Sequence, residues 1–273
     1  LNDKLQQLEE IIKTYDEILV ALSGGVDSAF LLAFAKKVLG KDKVRAVTLR
    51  GPHLAKDEAS YAATLCAALD IEHTVMDMAH ILPIIEHNPI DRCYLCKKEM
   101  FSQLKAMAEK RGAVLADGTN LDDMDDYRPG HKALAELGVA SPLKDASLTK
   151  DDIRIALKTA VSDVPALENG MPIWEKPAFA CLASRIPYGE NITMDKLSAI
   201  YETELYLRSQ GFNQVRVRHH GDIARIEVPQ QDRHRFFDEA FMDAVNDEVK
   251  KFGFKYATLD LGGYKMGGGY HAK

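Results

Sequence analysis

The stretch LSGGVDS at residues 22–28 restricts the fold more than any other part of the chain. It follows the apolar run Ile18 to Leu22, which reads as a buried parallel strand, and precedes Ala29 to Leu39, which reads as a helix. A glycine turn between strand and helix aims backbone N–H groups and the positive end of the helix dipole at one point, which makes an anion site. The lysine and spacing of a Walker A loop are missing, and so is the GxGxxG of a dinucleotide fold. Ser23 and Ser28 can add hydroxyl donors, Gly24 and Gly25 let the backbone approach the anion, and Asp27 can hold a Mg²⁺ against it. A tight turn that binds nothing is the plain alternative, and it has no need of two serines and an aspartate so arranged.

The following hundred residues alternate in the same way. VRAVTLR and IEHTVMDM read as strands, Lys56 to Leu69 as a helix, and PIIEHNPIDRCYLCK as a loop running into a helix from Lys97 to Arg111. AVLADGTN reads as a fourth strand. Short apolar strands alternating with helices predict an α/β fold with a doubly wound parallel sheet. From Leu121 to Gly170 the chain turns acidic and loop-rich, then helical, and the prolines between Pro172 and Gly189 predict a boundary. Beyond it come the helix MDKLSAIYETELYLRSQG, strands QVRVRHH and DIARIEV joined by a Gly-Asp turn, a helix over Gln231 to Phe252, and the strand YATLDL. That α-β-β-α-β order cannot continue a parallel sheet. The expected domains are therefore residues 1–185 and a smaller α+β unit over 186–273, with the terminal GGYKMGGGY as a flexible tail.

With 46% hydrophobic and 28% charged residues the chain has the make-up of an ordinary soluble protein. No apolar run approaches the roughly 18 residues that a membrane helix needs. The opening LNDKLQQLEE lacks a signal-peptide core and starts at Leu rather than Met, as a trimmed chain does. Four cysteines are too few for a disulfide scaffold, so a reducing, cytoplasmic setting without a membrane partner is expected. A net charge of −6 gives no global support for a grip on nucleic acid.

SGGVDS after a buried strand resembles the PP-loop of the ATP pyrophosphatases, the superfamily of NAD synthetase, GMP synthetase, asparagine synthetase and the tRNA thiolases. Three more stretches, NLDDMDDYRPG at 120–130, KPAFACLASRIPYG at 176–189 and VRVRHHGDIARIEVP at 215–229, make the chain similar to the LarE family nearly end to end. That family comprises ATP-dependent sulfur transferases that build the thiocarboxylates of the nickel-pincer nucleotide cofactor. The resemblance implies an adenine nucleotide alpha hydrolase-like domain that cleaves ATP between its α and β phosphates. It also implies a substrate derived from nicotinic acid mononucleotide, whose ring carboxylates are activated one at a time as acyl-adenylates. Sulfur then comes from inorganic sulfide or another donor, and the small unit over 186–273 is expected to help bind substrate and to associate subunits into a homo-oligomer.

One branch of that family gives up the sulfur of its own cysteine, five residues before the Arg of the SRxPYG block. Ala180 stands there in this chain, with a thiol one place later at Cys181. Cys93, Cys96 and Cys181 instead match the CxxC plus one distant Cys of another branch and of some tRNA thiolases, which implies a [4Fe-4S] cluster with one iron open to sulfide. The residues alone leave the trio open to a zinc site completed by His53, His73, His80 or His87, to a redox pair, and to a persulfide carrier. Cys66, in YAATLCAALD, reads as a small core residue.

Arg216 and Arg218 alternate on one strand, and Arg225 and Glu227 on its neighbour, which reads as a site for the substrate's phosphate against the alternative of a salt-bridged solvent face. Arg185 is expected to hold substrate phosphate or carboxylate, or to form a structural ion pair. Asp117, Gly118 and Thr119 end the fourth strand at the carboxyl edge and are expected at the nucleotide. Asp122, Asp123, Asp125 and Asp126 form either a metal-ligand cluster or a solvated loop, and His219 and His220 read as surface residues. The rival activities are an ammonia-dependent amide ligase of the NAD synthetase kind, a cluster-dependent tRNA thiolase, and a nucleotide-binding assembly factor without catalysis.

Overall fold

The computed structural model describes residues 1–124 and 129–265, so Asp125, Asp126 and the last part of the expected tail lie outside the described residues. In chain order the elements are α1 (Asn2–Lys13), β1 (Ile18–Ala21), α2 (Val26–Leu39), β2 (Val44–Arg50), α3 (Lys56–Leu69), β3 (Glu72–Asp77), α4 (Ile81–Ile85), α5 (Arg92–Arg111) and β4 (Val114–Ala116). They continue with α6 (Pro129–Glu136), α7 (Pro142–Asp145), α8 (Lys150–Thr159), α9 (Met194–Ser209), β5 (Arg216–His220), β6 (Ile223–Glu227), α10 (Glu239–Lys251) and β7 (Tyr256–Leu259). Two compact units result. One comprises Leu1–Gly51, Lys56–Ile81 and Cys93–Phe179; the other comprises Pro52–Ala55, Leu82–Arg92 and Ala180–Lys273.

The first unit is built on a parallel sheet of order β3-β2-β1-β4. β1 is central and buried at Ile18, Leu19 and Val20, which is why it reads as a continuous apolar run rather than an alternating one. From β1 the chain steps outward to β2 and β3, then returns to pair β4 with the free side of β1. The strand order therefore reverses between β1 and β4, and the carboxyl ends of strands at such a reversal frame the crevice where α/β sheets bind ligands. α2 leaves β1 at that crevice with every residue from Ala29 to Ala35 buried. Burying each Leu or Phe of this run contributes roughly 1.5–3 kcal/mol, so the first turn of α2 is anchored by the core. α8 packs on α2 and begins with a capping box in which Thr149 and Asp152 satisfy each other's backbone N–H.

α5 begins at Arg92, five residues before the start its spacing predicts, and this places the CxxC on a first helical turn instead of in a loop. Asn88 turns the chain in a left-handed conformation (φ 46°), and the Arg92 N–H donates to the Pro89 carbonyl at 2.9 Å, which opens the helix ahead of the cysteines.

The second unit carries a sheet of order β5-β6-β7. β5 and β6 form an antiparallel hairpin turned at Gly221 (φ 61°), and α10 carries the chain over to β7, which lies parallel to β6. The single helix expected over Gln231 to Phe252 is two elements. A 3-10 stretch over Gln230–Phe237 stops at Asp238, whose side chain accepts the Phe241 N–H at 2.8 Å and so caps α10. Two early segments of the chain belong here. The His53 carbonyl accepts the Leu182 N–H at 2.9 Å, the Glu86 carbonyl accepts the Ile192 N–H at 2.7 Å, and Asn88 Nδ2 donates to the Ile186 carbonyl at 2.9 Å. Among the described residues no helix is long and apolar enough to cross a membrane.

Candidate functional site

The turn at residues 23–28 sits at the carboxyl end of β1, where the strand order reverses. Gly24 takes a left-handed φ of 81°, and a Cβ there would lie 2.3 Å from the Glu58 carbonyl oxygen, so only glycine fits. The two serine hydroxyls stand 3.1 Å apart, Ser28 Oγ accepts the Ser23 N–H at 3.2 Å, and Ser23 Oγ accepts the Gly25 N–H at 3.3 Å. Gly25 is the N-cap of α2 and supplies no side-chain cap, which leaves first-turn N–H groups for an anion. From the other side of the crevice Gly118, just past β4, comes so close that a Cβ would lie 2.8 Å from the Ser28 nitrogen. Its neighbours are committed within the unit: the Asp117 carboxylate accepts from the hydroxyls of both Thr119 and Ser141.

Asp27 lies on the first turn of α2. Burial pushes its carboxyl up to about 6 and the charge of Asp123 pushes the same way, while Lys150, Arg154 and the Asn120 amide pull it down. Asp123 is buried, with Oδ1 3.0 Å from Lys150 Nζ; its carboxylate accepts the Asn120 N–H, and its own N–H donates to the Asn120 side-chain oxygen. Asp122 accepts the Lys150 N–H at 2.8 Å, at the start of α8. The described part of the acidic run, Leu121–Met124, is thus a folded 3-10 turn in which Asp123 is buried and Asp122 half-buried. Asn120 opens the NLDDMDDYRPG block, whereas Lys150 and Arg154 carry no motif of their own, so their part in the site was not visible in the sequence.

Cys93 and Cys96 stand three residues apart on the first turn of α5, so their side chains share a face of the helix. Cys93 is exposed, and Cys96 is buried with Sγ 3.9 Å from Met100 Sδ. Cys181 belongs to the second unit, where it is half-buried and opens the 3-10 turn Leu182–Arg185. Cys66 lies in the core, and burial pushes its thiol up to about 12. Among the described residues no three His, Cys, Asp or Glu side chains are gathered so as to hold a metal ion.

In the second unit Arg185 is fully buried, paired through two nitrogens with the equally buried Glu204 at 2.9 and 3.0 Å. Its third nitrogen donates to the Ala180 and Cys181 carbonyls, so it braces the backbone of the cysteine. Arg218 is buried against both oxygens of Glu227 at 3.1 Å, and Arg225 joins Glu227 at 2.9 Å and Asp260 at 3.3 Å. Arg216 is buried too, with its guanidinium 5.4 Å from the Tyr264 ring; burial and the charge of Arg185 bring it down to about 10. Arg185, Arg216 and Arg218 are buried while Arg225 keeps 35% of its exposure, so the arginines do not form a salt-bridged solvent face. His219, expected at the surface, is buried with its ring 5.2 Å from that of Phe254, because it lies inside a strand whose successive residues Arg216 to His219 are all buried.

The NAD synthase family model matches residues 2–116. Over nearly its full length the chain is similar to an uncharacterized protein of Synechocystis sp., 39% identical over 271 residues that cover 98% of this chain and 97% of that one. It is likewise similar to the pyridinium-3,5-bisthiocarboxylic acid mononucleotide synthase of Lactiplantibacillus plantarum, 38% identical over 270 residues, 98% of this chain and 94% of that one. A shorter stretch of 77 residues, 28% of this chain, is 36% identical to 26% of the NH(3)-dependent NAD(+) synthetase of Thermotoga neapolitana.

Proposed function

The chain belongs to the LarE family of PP-loop enzymes, that of the pyridinium-3,5-bisthiocarboxylic acid mononucleotide synthase, and on that premise we propose that it converts ring carboxylates of a nicotinic-acid-mononucleotide-derived substrate to thiocarboxylates at the expense of ATP. The observation that carries this reading is the glycine turn at the β1/β4 reversal, shaped for an anion by Gly24 and Gly118.

A carboxylate is a poor electrophile because its own charge repels a nucleophile. In the proposed reaction its oxygen attacks the α-phosphorus of ATP, forming a P–O bond as the α–β bridge breaks and pyrophosphate leaves. The N–H groups of residues 24–28 and the hydroxyls of Ser23 and Ser28 hold the charge of the departing pyrophosphate. A sulfur nucleophile then attacks the carbonyl carbon, and AMP leaves with the electron pair of the C–O bond. The Arg216, Arg218 and Arg225 cluster binds the phosphate of the substrate nucleotide, with Glu227 holding Arg218 and Arg225 in place and Arg185 bracing the turn that bears Cys181.

Asp27 and Asp123, whose charge is felt at Asp27, supply carboxylate oxygens of the kind that hold Mg²⁺, and a bound Mg²⁺ would neutralise phosphate charge there. Cys93, Cys96 and Cys181 offer thiolates, the donor chemistry of a [4Fe-4S] cluster, which would supply inorganic sulfide. Thiol ligands of that kind need the reducing setting of a cytoplasm, and a homo-oligomer is the proposed assembly.

Anaerobically purified protein given ATP, Mg²⁺, sulfide and the pyridinium-3,5-dicarboxylic mononucleotide is expected to form AMP, pyrophosphate and the thiocarboxylate, followed by mass spectrometry. Cys96→Ala is expected to keep adenylation and lose thiolation and bound iron. Formation of a carboxamide with ammonia, undiminished in Cys96→Ala, would overturn the sulfur reading in favour of an amide ligase.

A further inference from the structure

We infer that Lys176 is a positioning residue for the PP-loop: its ammonium holds the Gly24 carbonyl so that the Gly24–Gly25 peptide turns its N–H, not its oxygen, toward the bound triphosphate. The inference rests on reading this loop as the ATP site.

Lys176 Nζ donates to the Gly24 carbonyl at 2.8 Å across 152 positions of sequence. It also lies 2.9 Å from Glu58 Oε1 and 5.2 Å from the centre of the Tyr61 ring. Glu58 and Tyr61 are three residues apart and therefore share one face of α3. The Tyr61 hydroxyl is itself tied to the Pro165 carbonyl at 3.0 Å. Lys176 is also fixed from behind. The Arg154 guanidinium donates to the Trp174 and Lys176 carbonyls, and Ile173 is packed into the core. The Lys176 side chain keeps only 11% of its exposure, so a long flexible cation is held in one place. That arrangement demands an explanation, because lysine loses much rotamer freedom when confined.

The C=O and N–H of one planar trans peptide point in opposite directions. A Gly24 oxygen facing the phosphates would repel them, whereas an oxygen held by an ammonium on the far side leaves the Gly25 N–H facing them. In the structure that N–H makes only a long bond, 3.3 Å, to Ser23 Oγ, which a phosphate oxygen can replace. Glu58 contributes twice. Its carbonyl oxygen abuts Gly24, and its carboxylate tethers Lys176, so loop shape and clamp come from one residue of α3. Arg154 couples the clamp to the acidic side of the site, since the same guanidinium that holds Lys176 also lowers Asp27.

The test compares Lys176→Met, Lys176→Arg and Glu58→Gln with the wild type by calorimetric titration of MgATP, with steady-state kinetics for ATP and the carboxylate substrate. Lys176→Met is expected to weaken ATP binding by about tenfold or more, the worth of a hydrogen bond to a charged group, and Lys176→Arg to recover most of that loss. KM for ATP rises while kcat at saturating ATP changes less than about threefold, and KM for the carboxylate stays put; a merely structural lysine would instead lower the active fraction and leave KM alone. An ATP affinity in Lys176→Met within about twofold of wild type overturns the inference. Should Lys176→Met not fold, Glu58→Gln decides. Loosening the tether is expected to weaken ATP binding about threefold, and an unchanged affinity overturns the inference. A wild-type protein that binds no ATP overturns the reading of the loop instead.

Discussion

Single buried ionisable side chains decide this protein's response to pH and to mutation. His53 is 1% exposed, and burial, aided by the charge of Arg92, brings its imidazole down to about 4 from 6.5. The folded protein therefore holds His53 neutral while the unfolded chain takes up a proton below 6.5. Stability from this group is flat above pH 6.5 and falls as pH drops toward 4. At pH 5 the loss is about 2 kcal/mol, and His53→Gln is expected to shrink the difference between urea denaturations at pH 5 and pH 7.5 by that amount. Arg185 poses the opposite problem, a cation that cannot shed its charge. Arg185→Met strands the Glu204 carboxylate in the interior and is expected to cost about 3–5 kcal/mol, whereas replacing Glu204 by Leu as well should restore much of it, both read by urea denaturation.

Among the elements, α2 and β4 show how the site is assembled from close backbone approach. Gly118 has no left-handed φ, so its constraint is purely one of space: the Ser28 nitrogen lies 2.8 Å and the Ser28 Cα 3.1 Å from where a Cβ would be. Both neighbours are backbone of a buried helix and cannot swing aside. Gly118→Ala is expected to destabilise the protein by about 1–3 kcal/mol and to weaken ATP binding by lifting β4 from the first turn of α2, measured by thermal melting and by ATP titration. The element bounds themselves divide by cause. β2 and α3 begin and end where the apolar pattern of the chain says, because periodicity alone sets them. α5 begins early and the 231–252 helix is split, because a left-handed Asn88 and an Asp238 cap act through single backbone bonds that periodicity does not register.

For the whole molecule, the second unit draws Pro52–Ala55 and Leu82–Arg92 out of the middle of the first. A chain cut after residue 185 would keep Leu82–Arg92 and lose the partners of Glu86 and Asn88, the latter fully buried. Such a fragment is expected to lack a cooperative thermal transition by circular dichroism, and a sharp transition would show that the segment stands without its partners.

The sequence by itself determined the anion-binding turn, the parallel α/β alternation, the separate α-β-β-α-β end and the family, since each depends on local periodicity or on residues a few positions apart. It also named Asp27, Gly118 and the cysteines as residues to watch. Only the tertiary structure decided what the charges do. Arg185, Arg218 and Arg225 find their carboxylates inside the second unit, Lys150 meets Asp123, and Lys176 reaches Gly24. An arginine or lysine in a sequence announces a charge and a reach. Which carboxylate or carbonyl it meets depends on where the packed core brings distant segments together, because the cost of burying an unpaired charge selects the partner only once the fold has formed.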